Sequence, residues 1–125
     1  MKRFTAIGLL ICLLFTLCAC NARQSSLVGT WSRTSNGTRM RDSMPYFHYE
    51  YYKFAANGTV ESSGYFKYDD GTNEKMSISY GKYEIMTGII KIEWETGSVT
   101  NLNMEGSENT ITALVDNADQ AYKKE

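Results

Sequence analysis

The sequence predicts an all-β domain: an antiparallel, up-and-down meander of about seven or eight short strands, arranged as a sandwich or barrel. Three observations carry this. From Leu27 onward, runs rich in β-branched and aromatic residues recur at roughly ten-residue spacing. Between them stand Asn57-Gly58, Asp70-Gly71, Thr87-Gly88, Thr96-Gly97 and the stretch Gly106 to Asn109, each able to supply the positive φ of a tight hairpin. All nine tyrosines and both tryptophans follow residue 30, and Pro45 is the only proline, a composition that favours strands.

The chain opens differently. Met1, Lys2 and Arg3 precede an uncharged apolar run from Phe4 to Leu17, the layout of a secretory signal peptide. At about fourteen residues it is shorter than the roughly twenty that span a bilayer as a helix. It ends in Leu17-Cys18-Ala19-Cys20, which resembles the lipobox of bacterial lipoproteins: an aliphatic residue, two small residues and a cysteine. Residues 1–19 therefore read as a lipoprotein signal peptide. The resemblance implies a diacylglyceryl thioether on Cys20, cleavage before it and acylation of the new amino terminus, with chains such as palmitate. Several chains, each contributing about 0.8 kcal/mol per buried CH₂, anchor a protein where one does not. The alternative, cleavage after Ala19 of an ordinary secreted protein, leaves Cys20 as a free thiol. Cys12 and Cys18 leave with the signal, so the mature chain has no disulfide within it.

Asn21 stands where an aspartate would resemble an inner-membrane retention signal, so the expected address is the outer membrane, with the leaflet left open. Residues 20–26, the lipidated cysteine and the polar Asn21 to Ser26, read as a tether, and residues 27–125 as one β domain. Removing residues 1–19 takes Lys2 and Arg3 away and leaves eleven basic against fourteen acidic side chains, a formal charge near −3 that argues against nucleic acid.

The predicted strands are Leu27 to Arg33, Tyr46 to Ala55, Thr59 to Tyr68, Met76 to Met86, Ile89 to Glu95, Ser98 to Met104 and Thr110 to Val115, with a short last run around Tyr122. Alternation assigns faces. Ile90, Ile92 and Trp94 point to the core and Lys91, Glu93 and Glu95 away from it. Val60, Ser62, Gly64, Phe66 and Tyr68 share one face. Leu102 and Met104 share another, opposed to Thr100 and Asn103. Met76, Ile78 and Tyr80 fit one register and Tyr83 and Ile85 the opposite one, which predicts a bulge or break near Gly81. Tyr46 to Phe54 carries aromatic residues on both faces. Either its outer face is partly covered, or that face is an aromatic surface for a ligand or partner.

Leu27-Val28-Gly29-Thr30-Trp31 is similar to the Gly-x-Trp start of lipocalins and related calycin barrels. Phe54 to Val60, Gly81 to Ile85, Ile89 to Trp94 and the closing Tyr122-Lys123-Lys124 resemble, in that order, the elements of bacterial lipocalin-like lipoprotein domains. The resemblance implies a small closed barrel, with Trp31 plugging one end and a cavity for a small apolar ligand. Its candidate lining is Trp31, Tyr52, Phe54, Phe66, Tyr83 and Trp94.

Residues for chemistry are sparse. His48 is the only histidine, too few for a histidine metal cluster. Glu93 and Glu95, about 7 Å apart along a strand, lie opposite the apolar set and read as a solvated face. Asp69 to Glu74 gathers oxygen donors without the spacing of an EF-hand and reads as a polar turn. Asn36-Gly37-Thr38 and Asn57-Gly58-Thr59 read as turns, and Asp42-Ser43-Met44, similar to a bacterial O-glycosylation motif, sits in a polar linker between the first two strands. No enzyme, metal or cofactor is expected. The sequence leaves two functions: a lipocalin-like domain binding a small apolar ligand, or a protein-interaction module, such as an envelope assembly factor or an inhibitor of an extracellular enzyme.

Overall fold

The computed structural model describes residues 23–107 and 109–125. The signal peptide and Cys20 lie outside the described residues. Nine strands follow a helical turn at 23–27: β1 (Gly29–Arg39), β2 (Met44–Phe54), β3 (Thr59–Tyr68), β4 (Asn73–Lys75), β5 (Ser79–Met86), β6 (Ile89–Trp94), β7 (Val99–Gly106), β8 (Ile111–Val115) and β9 (Ala121–Lys124). All pairings are antiparallel. Eight strands close a barrel in the order β1-β2-β3-β5-β6-β7-β8-β9, with β9 returning to β1 through Trp31 opposite Lys124 and Ser32 opposite Lys123. The short β4 pairs with β3 beyond the end of β5. The barrel meander read from the sequence is the observed fold.

The alternation of the strands builds the core. Leu27, Trp31, Phe54, Ile90, Ile92, Leu102 and Leu114 are fully buried together with Tyr122, and Tyr83, Ile85, Trp94 and Met104 pack against them. Trp31 Nε1 donates to the Leu27 carbonyl at 2.7 Å, which ties the helical turn to the first strand. Residues 23–26 of the expected tether thus form a helical turn held against the barrel. Ile111 N donates to Ser26 Oγ, and Val28 N to the Gln24 carbonyl.

Three local readings change. The stretch from Thr34 to Pro45 is no linker: β1 and β2 pair residue for residue from Gly29–Phe54 to Arg39–Met44, and only residues 40–43 turn. Asn36-Gly37-Thr38 is accordingly strand. Cross-strand pairing overrides weak local propensity here, and Gly37 leaves room for the Tyr46 ring, whose hydroxyl would lie 2.4 Å from a Cβ at that position. The break in the fourth predicted strand falls at residues 76–78, not at Gly81. Lys75 pairs with Tyr65 and Ser79 with Ser62, so three residues oppose two, the count of a bulge. Gly81 lies in regular alternation with Tyr83 and Ile85. Thr100 points inward with Leu102, and its hydroxyl accepts the Trp94 Nε1 hydrogen bond at 2.8 Å.

Gly64 marks a close approach of β3 to β2: a Cβ there would sit 2.2 Å from the Tyr49 carbonyl oxygen. Gly64→Ala forces that backbone apart and is expected to cost at least about 1–3 kcal/mol. Gly71→Ala enters open space and incurs only the left-handed φ of 88°, about 1 kcal/mol. Denaturant titration of both checks this; equal losses would mean that the strands can separate at Gly64 at little cost.

Candidate binding face

Strands β2 and β3 present two aromatic faces because their residues alternate. On the inner face, above the apolar core, lies a polar layer. Arg33 Nη2 donates to Glu50 Oε2 at 2.9 Å and Arg33 Nε to the Tyr122 hydroxyl at 3.2 Å. Higher still, His48 stacks on Phe66 with ring centroids 4.3 Å apart, and the Arg39 guanidinium covers the Tyr68 ring at 4.5 Å. Tyr68 in turn donates to Glu74 at 2.8 Å.

Ser35, His48 and Glu50 share this inner face, yet they do not form a hydrolytic triad. Ser35 Oγ lies 3.5 Å from His48 Nδ1, His48 Nε2 is buried without a partner, and the Glu50 carboxylate is engaged by Arg33. A triad would need the serine and the carboxylate on opposite imidazole nitrogens. Among the described residues no three His, Cys, Asp or Glu side chains are grouped to hold a metal ion.

Burial is the main reason the His48 imidazole titrates below its ordinary 6.5, with Arg33 adding to the shift and Glu50 opposing it. As pH falls below 6.5, the unfolded chain takes up this proton before the folded one does. The His48 contribution to stability is therefore complete above pH 6.5 and declines as pH drops toward the folded-state value. Unfolding measured against pH should show a shallower acid-side decline for His48→Phe than for the parent; parallel curves would count against it.

The outer face is the more distinctive one. Phe47, Tyr49 and Tyr51 of β2 stand beside Tyr65 of β3, with centroids 6.3 Å apart for Phe47–Tyr65, 5.3 Å for Tyr49–Tyr65 and 6.0 Å for Tyr49–Tyr51. Tyr80 of β5, opposite Glu61 in the register, continues this outer face; it is 49% exposed, Ile78 of the bulge 52% and Tyr65 37%. Tyr49 donates to Glu125 at 2.7 Å and Tyr51 to Glu61 at 2.8 Å. Desolvation first, and these carboxylate acceptors second, push both phenols up to about 12. They stay neutral across the physiological range. Beside the stripe runs an open groove of about 630 Å³, bordered by Lys53, Glu61, Tyr80, Lys82, Glu93 and Trp94 among others.

The six residues expected to line a cavity divide accordingly. Trp31, Tyr52 and Phe54 are buried core. Tyr83 is half-buried, packs edge-on against Phe54 and donates to the Ala55 carbonyl at 2.6 Å. Phe66 belongs to the upper inner face, and Trp94 is half-buried at the border of the outer groove. Five of the six thus gather in or against one core cluster, where Tyr52 stacks with Phe54 and with Trp94, while Phe66 stands apart beside His48. Sequence reading assigns Tyr65, Ile78 and Tyr80 no binding role; the outward parity of Tyr65, between Gly64 and Phe66, is the available signal. The chain matches no protein-family model, no curated protein and no solved structure.

Proposed function

We propose that this chain is a lipid-anchored, non-enzymatic envelope lipoprotein whose domain binds a protein partner through the tyrosine-lined outer face of β2, β3 and β5. The observation that carries this is the aromatic stripe of Phe47, Tyr49, Tyr51, Tyr65 and Tyr80, of which Tyr65 and Tyr80 are left open to solvent, as is Ile78 two residues before Tyr80. Aromatic side chains with a polar tip are those enriched in protein interfaces. Large apolar side chains exposed together on one face are a mark of interaction sites.

A small apolar ligand inside the barrel has less support, because Trp31, Phe54, Ile90, Ile92, Leu102 and Leu114 fill the volume it would take. The anchor rests on the signal-like start and the lipobox at Leu17 to Cys20, and the outer-membrane address on Asn21.

A photo-crosslinking amino acid at Tyr65 in the full acylated chain, within its own envelope, tests the binding reading. The expected result is one discrete protein adduct that is lost on adding Ile78→Glu and absent with the crosslinker at Met40, at the far tip of the β1–β2 hairpin. No adduct from position 65, or a small apolar molecule retained in native mass spectrometry, would overturn it.

A further inference from the structure

The end of the barrel where the chain enters is framed by the β2–β3, β5–β6 and β7–β8 turns. Arg23 lies over this end: it borders one hollow with Gly58 and Ile85 and another with Gly88 and Ser107, and so sits amid all three turns. The helical turn is fixed in place. Gln24 Nε2 donates to the Ala56 carbonyl, and Lys124 Nζ donates to the Ser26 carbonyl at 3.0 Å. Cys20 precedes Arg23 by three residues, which reach at most about 10 Å when fully extended. Acyl chains on Cys20 would therefore hold a membrane surface against this end and no other.

The same end carries an apolar pair that the fold does not use. Met86 and Ile89 flank the two-residue turn of the β5–β6 hairpin and face each other across it. Alternation sends Ile85 and Ile90 into the core and these two outward, where they are 48% and 37% exposed. Two large apolar side chains at a hairpin tip are costly to leave in water, and an interfacial lipid layer is the environment that suits them.

We propose that Met86 and Ile89 dock this end of the barrel into the phospholipid surface beside the anchor. The inference rests on the reading of Cys20 as the acylated residue. The barrel then stands on the membrane rather than swinging from a loose tether. The tyrosine-lined face is turned sideways and free, and the β1–β2 tip points away from the bilayer.

The acylated chain has no other cysteine, so one added cysteine is a unique labelling site. Met86→Cys, Ile89→Cys and, as the distal reference, Met40→Cys are each labelled with an environment-sensitive fluorophore. Each acylated protein is reconstituted into phosphatidylethanolamine–phosphatidylglycerol vesicles with and without spin-labelled lipid. The expected result is a blue shift and a loss of emission to the spin label at positions 86 and 89, with neither at position 40. Water-like, unquenched emission at both 86 and 89 from protein that is acylated by mass and floats with the vesicles overturns the docking alone. An unmodified Cys20 peptide and protein that does not float overturn the anchor reading, and the docking with it. Two label sites on the outer surface guard against a variant that does not fold.

Discussion

Replacing Trp31 with alanine is expected to cost about 3–5 kcal/mol of folding stability, as truncation of other buried aromatic residues does. A domain of this size has roughly 5–15 kcal/mol in total, so the loss takes a large share of it and should lower the unfolding midpoint markedly. The reason is position as much as size. Trp31 is fully buried, stands opposite Tyr52 of β2 on one side and Lys124 of β9 on the other, and so occupies the seam where the sheet closes on itself. Truncation removes the ring from the core cluster that includes Leu27 and also leaves the Leu27 carbonyl without its indole donor. Trp31→Phe separates the two effects: it keeps an aromatic ring and forfeits the hydrogen bond, for about 1–3 kcal/mol. Urea unfolding of the three proteins measures both. A loss under about 1 kcal/mol for Trp31→Ala would show that the seam is held elsewhere.

The core was legible because its residues repeat with the period of a strand. Ile90, Ile92 and Leu102 declared their face by alternation, and the Asn-Gly, Asp-Gly and Thr-Gly pairs fixed the hairpins between them. What local sequence could not show was pairing that contradicts propensity. Thr34 to Thr38 reads as polar loop, yet it is strand because β2 supplies a partner for every residue of it. The bulge at 76–78 was misplaced for a related reason. Gly81 is the conspicuous small residue, but its role is close packing: a Cβ there would lie 2.6 Å from the Glu93 carbonyl oxygen. The outer tyrosine face was half legible. Strand β2 showed aromatic residues of both parities, whereas the share contributed by Tyr65 and Tyr80 depends on which strands lie beside it. That is a property of the closed sheet, not of any one run.

Cys20→Ala is expected to move the protein from the membrane fraction to the soluble one while leaving its unfolding transition unchanged. The two parts of this prediction have different physical sources. Anchoring by two or three acyl chains scales with the number of CH₂ groups buried, at about 0.8 kcal/mol each, so if Cys20 carries the proposed diacylglyceryl group, removing its thiol removes nearly all of that affinity. Met86 and Ile89 alone, two partly exposed side chains, bury far too little apolar area to replace it. The fold draws on other residues: the core begins at Leu27, and the first described residue, Arg23, follows Cys20 by three positions. Fractionation, intact-mass measurement and thermal unfolding of parent and variant read membrane retention, acylation and stability independently. Retention of Cys20→Ala with the membranes would mean that the barrel is held by a protein partner or by its own surface, and would make the tyrosine face, not the lipid, the principal attachment.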